Sequence, residues 1–354
     1  MDKFLSDKIK VISFWAIVLV VFLHSYNLDT KQHGEVIYFQ KSLNWVIQNF
    51  ISNGVTRIAV PFFFLISGFL FFLKFDEMQP DFYSKIKKRF RTLFLPYLIW
   101  SLVGLLFYFI LQCIPATHKF FNKELILNYD LCKLIETIFV NPIAYQLWFI
   151  RDLFVIVLLI PVFYFLLRYT KSILLLVVLL IWLYDVEVIK NSVEALFFFL
   201  TGSYICLYKK TVINYIGDQK TILLFILWIV LLLTKTYLSF IDNNLTLIKL
   251  LHKIAIITGI AAFWNGYNFL HNRYNFFKEN KMKAYSVTFF IYAFHEPTLT
   301  FFKKGLFFVF GVEEKSYLTL FFLAPVLTLL VSYYVAIIFK KQFNSIYNIT
   351  TGGR

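Results

Sequence analysis

A histidine closes the first apolar run of this 354-residue chain, where Ala16-Ile17-Val18-Leu19-Val20-Val21-Phe22-Leu23 leads into His24. Imidazole titrates near neutral pH and can act there as a general base. Lys10 lies fourteen residues earlier. That spacing is close to four helical turns, so both point to about the same side, roughly 21 Å apart. A second histidine stands in Phe289-Phe290-Ile291-Tyr292-Ala293-Phe294-His295-Glu296-Pro297. Pro297 breaks the local hydrogen-bond ladder and frees a carbonyl. The pair His295-Glu296 needs partners and can line a cavity shared with His24.

Five further constellations carry charge into apolar surroundings. Arg151-Asp152 follows Leu147-Trp148-Phe149-Ile150. Neighbouring residues do not face each other on a helix, so each is expected to have its own partner elsewhere. Arg57 opens the run Val60-Pro61-Phe62-Phe63-Phe64-Leu65-Ile66-Ser67-Gly68. It reads either as a snorkelling anchor or as a functional cation. Lys88 and Arg91 belong to a basic run before Leu95-Pro96-Tyr97. Three apart, they share a face if a helix starts there, and paired cations can hold the phosphates of a nucleotide-type cofactor. The plain alternative is a basic anchor. Glu194 is a weaker candidate. His252 and Lys253, at the edge of a run, are expected to be within reach of water.

The elements that position these residues follow from composition. Apolar residues make up 60% of the chain, aromatics 21% and charged residues 16%, with mean hydropathy +0.71. Soluble domains are about 45–50% apolar and about 25% charged. That composition rules out a disordered chain and argues against a soluble globular enzyme, and most apolar surface is expected to face membrane lipid. Ten apolar segments are legible, at 10–28, 55–73, 93–114, 146–167, 172–185, 191–208, 221–240, 246–270, 284–303 and 317–339. A span needs about 20 residues to cross about 30 Å of hydrocarbon. The short segment 172–185 must therefore sit among other helices or start earlier. An ionisable group inside a membrane costs several kcal/mol, which makes it a functional candidate unless a helix–helix hydrogen bond satisfies it.

Net charge is +15. In a soluble protein this would suggest nucleic acid. Here the cations lie between apolar runs, so no nucleic-acid partner is expected. With ten spans and the N-terminus in the cytoplasm, 21 Lys and Arg fall in cytoplasmic segments and 9 in outer ones, Lys303 among the latter. Cytoplasmic loops are enriched in these residues, so both termini are expected inside. The fold expected is an all-α integral membrane protein of about ten transmembrane helices. A single domain is expected over 1–345, with a short, frayed C-terminal tail at 346–354. The N-terminal run lacks a small-x-small cleavage site, so it does not read as a cleaved signal. Cys113, Cys132 and Cys206 have neither metal-ligand spacing nor a disulfide framework, and no metal is expected. The first outer loop, with Asp29, Lys31, Gln32, His33 and Glu35, is polar enough to meet a hydrophilic substrate.

Taken in order, the first helix ending Val-Val-Phe-Leu-His-Ser, the Val60–Leu70 stretch, the basic run before Leu95-Pro96-Tyr97, Leu147–Leu153 and Phe290–Pro297 resemble the acyltransferase-3 family of membrane O-acyltransferases. The ordered set covers nearly the whole chain. The resemblance implies transfer of an acyl group, usually acetyl and sometimes succinyl, from cytoplasmic acyl-CoA to a carbohydrate hydroxyl at or beyond the outer face. The donor is then acetyl-CoA or another acyl-CoA, used as a substrate rather than a bound cofactor. The acceptor is a carbohydrate or lipid-linked glycan of the cell envelope, and the membrane is the inner or plasma membrane. The family's essential first-helix histidine matches His24. Its Arg-x-x-Arg matches Lys88 and Arg91, with Lys in the first place. Its first-helix cation falls on Ser13, and Lys10, one turn earlier, is the substitute.

On this reading Lys88 and Arg91, with Arg57 and Lys10, are the cations open to the donor. His24 takes the acceptor proton, or carries the acyl group in a covalent relay. Arg151 or Arg57 stabilises the oxyanion, Glu296 or Asp152 orients an imidazole, and His295 holds the acceptor or shares the base role. Relatives often carry an esterase-like C-terminal domain. This chain is expected to act alone or with a separate polysaccharide-biosynthesis partner. The rival reading is a polysaccharide exporter or transporter, which would need no acyl-CoA.

Overall fold

The computed structural model describes residues 2–28, 31–32, 35–36, 42–118, 124–186, 192–242, 244–274, 284–311 and 314–353. Asp29 and His33 of the first outer loop lie outside them. Among the described residues the chain is helical: α1 (Lys3–Ser25), α2 (Leu43–Ser52), α3 (Ala59–Phe72), α4 (Phe82–Arg89), α5 (Leu95–Cys113), α6 (Pro115–His118), α7 (Leu131–Phe139), α8 (Trp148–Thr170), α9 (Ser172–Leu183), α10 (Ser192–Tyr208), α11 (Asp218–Phe240), α12 (Leu245–Tyr274), α13 (Thr288–Phe310), α14 (Glu314–Gln342) and α15 (Asn344–Thr351). The only β pairing among them joins Lys31–Gln32 to Glu35–Val36.

Among the described residues seven stretches are long and apolar enough to cross a membrane: Lys3–Ser25, Leu43–Phe72, Phe82–Cys113, Tyr145–Thr170, Asp218–Phe240, Leu245–Tyr274 and Glu314–Gln342. The helix α11 shows the pattern. Leu223, Ile226, Val230, Leu233 and Tyr237 form an exposed apolar stripe at helical spacing, while Trp228, Leu232, Lys235 and Thr236 are buried. An apolar exterior around a partly polar interior is the arrangement that lipid demands. The chain is an integral membrane all-α protein.

The short segment 172–185 behaves differently from expectation. It forms α9, which starts no earlier than Ser172, and Ile173, Leu176, Val177 and Leu180 are exposed. Only Val178 and Trp182 are buried along it. Its neighbours cover one narrow stripe, and the rest of its apolar surface faces outward.

The chain forms two compact units, Met1–Phe75 with Phe165–Tyr333 and Asp76–Tyr164 with Tyr334–Arg354. In the first, α3 and α10 make the most extensive helix pair. They meet backbone to backbone at two glycines. A Cβ on Gly68 would lie 2.0 Å from the Phe199 carbonyl oxygen, and one on Gly202 would lie 1.9 Å from that of Leu65. Small residues that let backbones approach are the usual means of joining helices in lipid. Also in this unit, α1 packs on α3 and α13, and α11 packs on α12.

In the second unit α4 does not stop before α5. The segment Phe90–Phe94 is a π-helical turn that joins them into one run from Phe82. Phe94 packs on Phe154 and Phe139. The C-terminus corrects the expectation of a frayed tail. Residues 344–351 are helical, with Tyr347, Thr350 and Thr351 buried. The Thr350 carbonyl accepts from Trp100 Nε1 at 3.0 Å. Gly352 ends the helix at φ +66° with its backbone against Thr92, where a Cβ would lie 2.6 Å from the Thr92 oxygen. Glycine alone adopts that conformation freely and leaves that space.

Candidate active site

Near its C-terminal end α1 presents His24 and then stops, because a buried polar network captures the chain that follows. Asn27 N–H donates to Gln48 Oε1 at 3.2 Å, and Gln48 Nε2 donates to Asn27 Oδ1 at 2.9 Å. Asn27 Nδ2 donates to the Tyr317 carbonyl at 2.9 Å. Ser52 Oγ donates to the Phe22 carbonyl at 2.9 Å. Side chains of α2 thus hold the end of α1. A satisfied buried network of this kind rigidifies what it holds.

Facing His24 is His295, fully buried on α13. The two rings stack, with centroids 5.5 Å apart and planes 23° from parallel. The proline breaks the helix as the sequence implies. Glu296 takes φ −112° and ψ 130°, since the residue before a proline avoids helical angles. His295 Nδ1 lies 2.6 Å from the Tyr292 carbonyl. A carbonyl only accepts, so Nδ1 carries the proton and Nε2 bears the lone pair. That Nε2 is buried with no hydrogen-bond partner among the described residues. Glu296, also buried, accepts from Thr300 Oγ1 at 2.8 Å.

Lys303 completes the group, and it is not in an outer loop. It lies within α13, seven residues after Glu296. Its ammonium donates to the carbonyls of His24 at 3.1 Å and Tyr26 at 2.9 Å. A cation at a helix C-terminus meets the negative end of the helix dipole. The residue therefore pins the backbone that carries His24. Its place two turns from Glu296 is the one sequence signal that points to it. Lys303→Met is expected to lower turnover roughly tenfold or more, with the protein still folded, because two charge-assisted bonds disappear. Lys303→Arg should recover part of the loss, both variants being read as initial rates in membranes matched for protein content.

The other sequence candidates divide clearly. Lys10 is exposed and pairs with Asp7 at 3.5 Å on the surface. It shares a side with His24, but its side chain points to the surface. The buried cation is Lys8, which sequence reasoning misses. It lies about 4.4 turns before His24, toward the opposite face. Its ammonium meets Asn268 Oδ1 at 2.5 Å and sits 3.7 Å from the Trp264 ring centroid. Arg57 is exposed and donates to Asn53 Oδ1 at 2.7 Å.

Glu194 Oε2 accepts from Trp182 Nε1 at 3.2 Å. His252 is half-buried, but Lys253 is not within easy reach of water. It is 6% exposed and bonds the carbonyls of Trp182 and Leu183 as well as Asp185. The Lys253 bond, with that of Lys249, holds the Asp185 carboxyl below its usual range.

The second unit holds the remaining candidates. Arg151 and Asp152 do not take separate partners. Arg151 Nε donates to Asp152 Oδ1 at 2.8 Å, and Nη1 donates to the Val140 carbonyl at the end of α7. The pair sits in the first turn of α8, and the long arginine side chain folds back where helix periodicity alone would separate the charges. Lys88 and Arg91 are both exposed. The helix is already running when it reaches them, and the π turn at Phe90–Phe94 sets their register.

Fold and site together define a multi-pass helical membrane protein whose first helix delivers a histidine to a buried imidazole partner. The chain belongs to the acyltransferase-3 family. Its residues 8–337 match the family model described as an acyltransferase domain. It is also similar to the succinoglycan biosynthesis protein ExoH of Rhizobium meliloti (strain 1021), 28% identical over 173 residues. That match covers 46% of this chain and 43% of the relative, so the chain spans under half the length of the curated relative. No solved structure matches it.

Proposed function

We propose that the protein is a membrane O-acyltransferase. It moves an acyl group, most simply acetyl, from cytoplasmic acyl-CoA to a hydroxyl of a cell-envelope or exported polysaccharide. The observation that carries this reading is the stacked His24–His295 pair with its unbonded Nε2. Family membership supports acyl transfer, and the similarity to a succinoglycan biosynthesis protein supports a carbohydrate acceptor.

The attacking hydroxyl gives its proton to an imidazole of the pair as its oxygen adds to the thioester carbonyl. The tetrahedral intermediate then collapses, the C–S bond breaks, and the proton passes to the leaving thiolate. Tyr292 holds the His295 tautomer and Lys303 holds the His24 backbone, so neither ring has to be ordered during the reaction. Lys88 and Arg91, exposed and cytoplasmic under the charge-bias topology, are the cations assigned in this reading to the donor's phosphates. The membrane is the inner or plasma membrane.

The test is transfer of radiolabel from acetyl-CoA into envelope glycans, comparing membranes with and without the protein. Label that depends on the protein supports the reading. If acetyl-CoA and other acyl-CoAs all fail with folded protein, the transferase reading falls and an exporter takes its place.

A further inference from the structure

Two cations of the first unit converge on one neutral residue. Lys235, buried on α11, donates its ammonium to the Asn53 backbone carbonyl. Arg57, in the turn before α3, donates from Nη2 to Asn53 Oδ1 at 2.7 Å. Asn53 caps α2, and its own Nδ2 donates to Asn49 Oδ1 at 2.7 Å. Among the described residues neither cation forms an ion pair. The Glu194 carboxylate takes its bond from Trp182 Nε1 instead. Lys253, nearby, is already bound to Asp185 and two carbonyls.

Like charges side by side repel, and more strongly where the dielectric is low. An asparagine bridges these two without neutralising either. Arg57 spends one of its five N–H donors and remains exposed, with the fork that matches carboxylate or phosphate oxygens. The site lies where α1 and α11 finish and α3 and α12 begin, the same end of the unit as His24. Asn53 directly follows Ser52, whose hydroxyl bonds the Phe22 carbonyl two residues before His24.

We infer that Arg57 and Lys235 form an anion-recognition site for the acyl acceptor, taking a carboxylate or phosphate of an acidic carbohydrate. The word acceptor rests on the acyl-transfer reading; the anion site does not. A sugar whose charged group sits on these cations presents a neighbouring hydroxyl toward the histidine pair.

The experiment is equilibrium binding to the full chain in lipid nanodiscs, with glucuronate, glucose 6-phosphate and glucose as probes. The expected result is binding of a charged probe and none of glucose. The stronger charged probe identifies the group. Lys235→Gln should weaken binding about tenfold or more, the worth of one charge-assisted bond. Asn53→Asp supplies a built-in carboxylate. It should raise the thermal stability of the free protein and abolish binding. Lys249→Gln should leave binding unchanged. No preference for charged probes over glucose, or wild-type binding by Asn53→Asp, would overturn the site. Displacement of the probe by coenzyme A would assign the cations to the donor and overturn the acceptor role. Binding needs no acyl transfer, so failure here leaves the label assay untouched, and the reverse holds too.

Discussion

His24→Ala is expected to lower acyl transfer by about 10²–10⁴-fold, the usual worth of a positioned general base. Expression and folding should be unchanged, because His24 is half-buried at a helix end that other groups hold. The Asn27–Gln48 network and the Lys303 bonds to backbone carbonyls do not involve the imidazole. His295→Ala should cost a similar factor, since it removes the buried Nε2. If the rings act as one unit, the double variant will be little worse than either single one, because such effects are strongly non-additive. The measurement is the initial rate of label transfer in membranes matched for protein content. Near-normal rates in His24→Ala would sink the mechanism and leave His295 alone as base.

Gly68→Ala or Gly202→Ala should destabilise the fold by about 3 kcal/mol, the upper end for overpacking. In an isolated helix the same change is favourable by about 1 kcal/mol. Packing decides the sign here. The new methyl would sit about 2 Å from a carbonyl oxygen of the facing helix, Phe199 in one case and Leu65 in the other. Backbone cannot swing aside as a flexible side chain can, so α3 and α10 must separate along their length. Gly305 is the control, because a Cβ there meets nothing within 4 Å. Thermal unfolding in detergent would show the loss for Gly68→Ala and Gly202→Ala and little change for Gly305→Ala. Once one methyl has parted the helices, the second should add less than its own single effect. A stable Gly68→Ala protein would contradict the close helix crossing.

Much of this architecture is legible in the amino-acid sequence. Apolar runs of span length announce the helices, because lipid allows few other solutions. His24 and His295 stand out for the same reason, since polar groups are expensive in apolar runs and must have a purpose. Spacing serves less well for long cations. Periodicity puts Lys10 on the side of His24, yet Lys8 is the buried one, because Asn268 and Trp264 of α12 meet its side chain. Periodicity also denies Arg151 its neighbour Asp152, although a side chain with so many rotatable bonds reaches an adjacent residue easily.

The sequence by itself therefore determined the class of protein, the places of the apolar helices and the two histidines. Those follow from one-dimensional patterns, hydrophobicity and composition, that each segment carries alone. Only the tertiary structure decided which polar groups meet. The stacking of His24 on His295, the grip of Lys303 on the end of α1, and the convergence of Arg57 and Lys235 on Asn53 join residues up to 279 positions apart. Such contacts depend on how helices cross, and the crossing is set by backbone approach at positions such as Gly68 and Gly202, which no local period encodes.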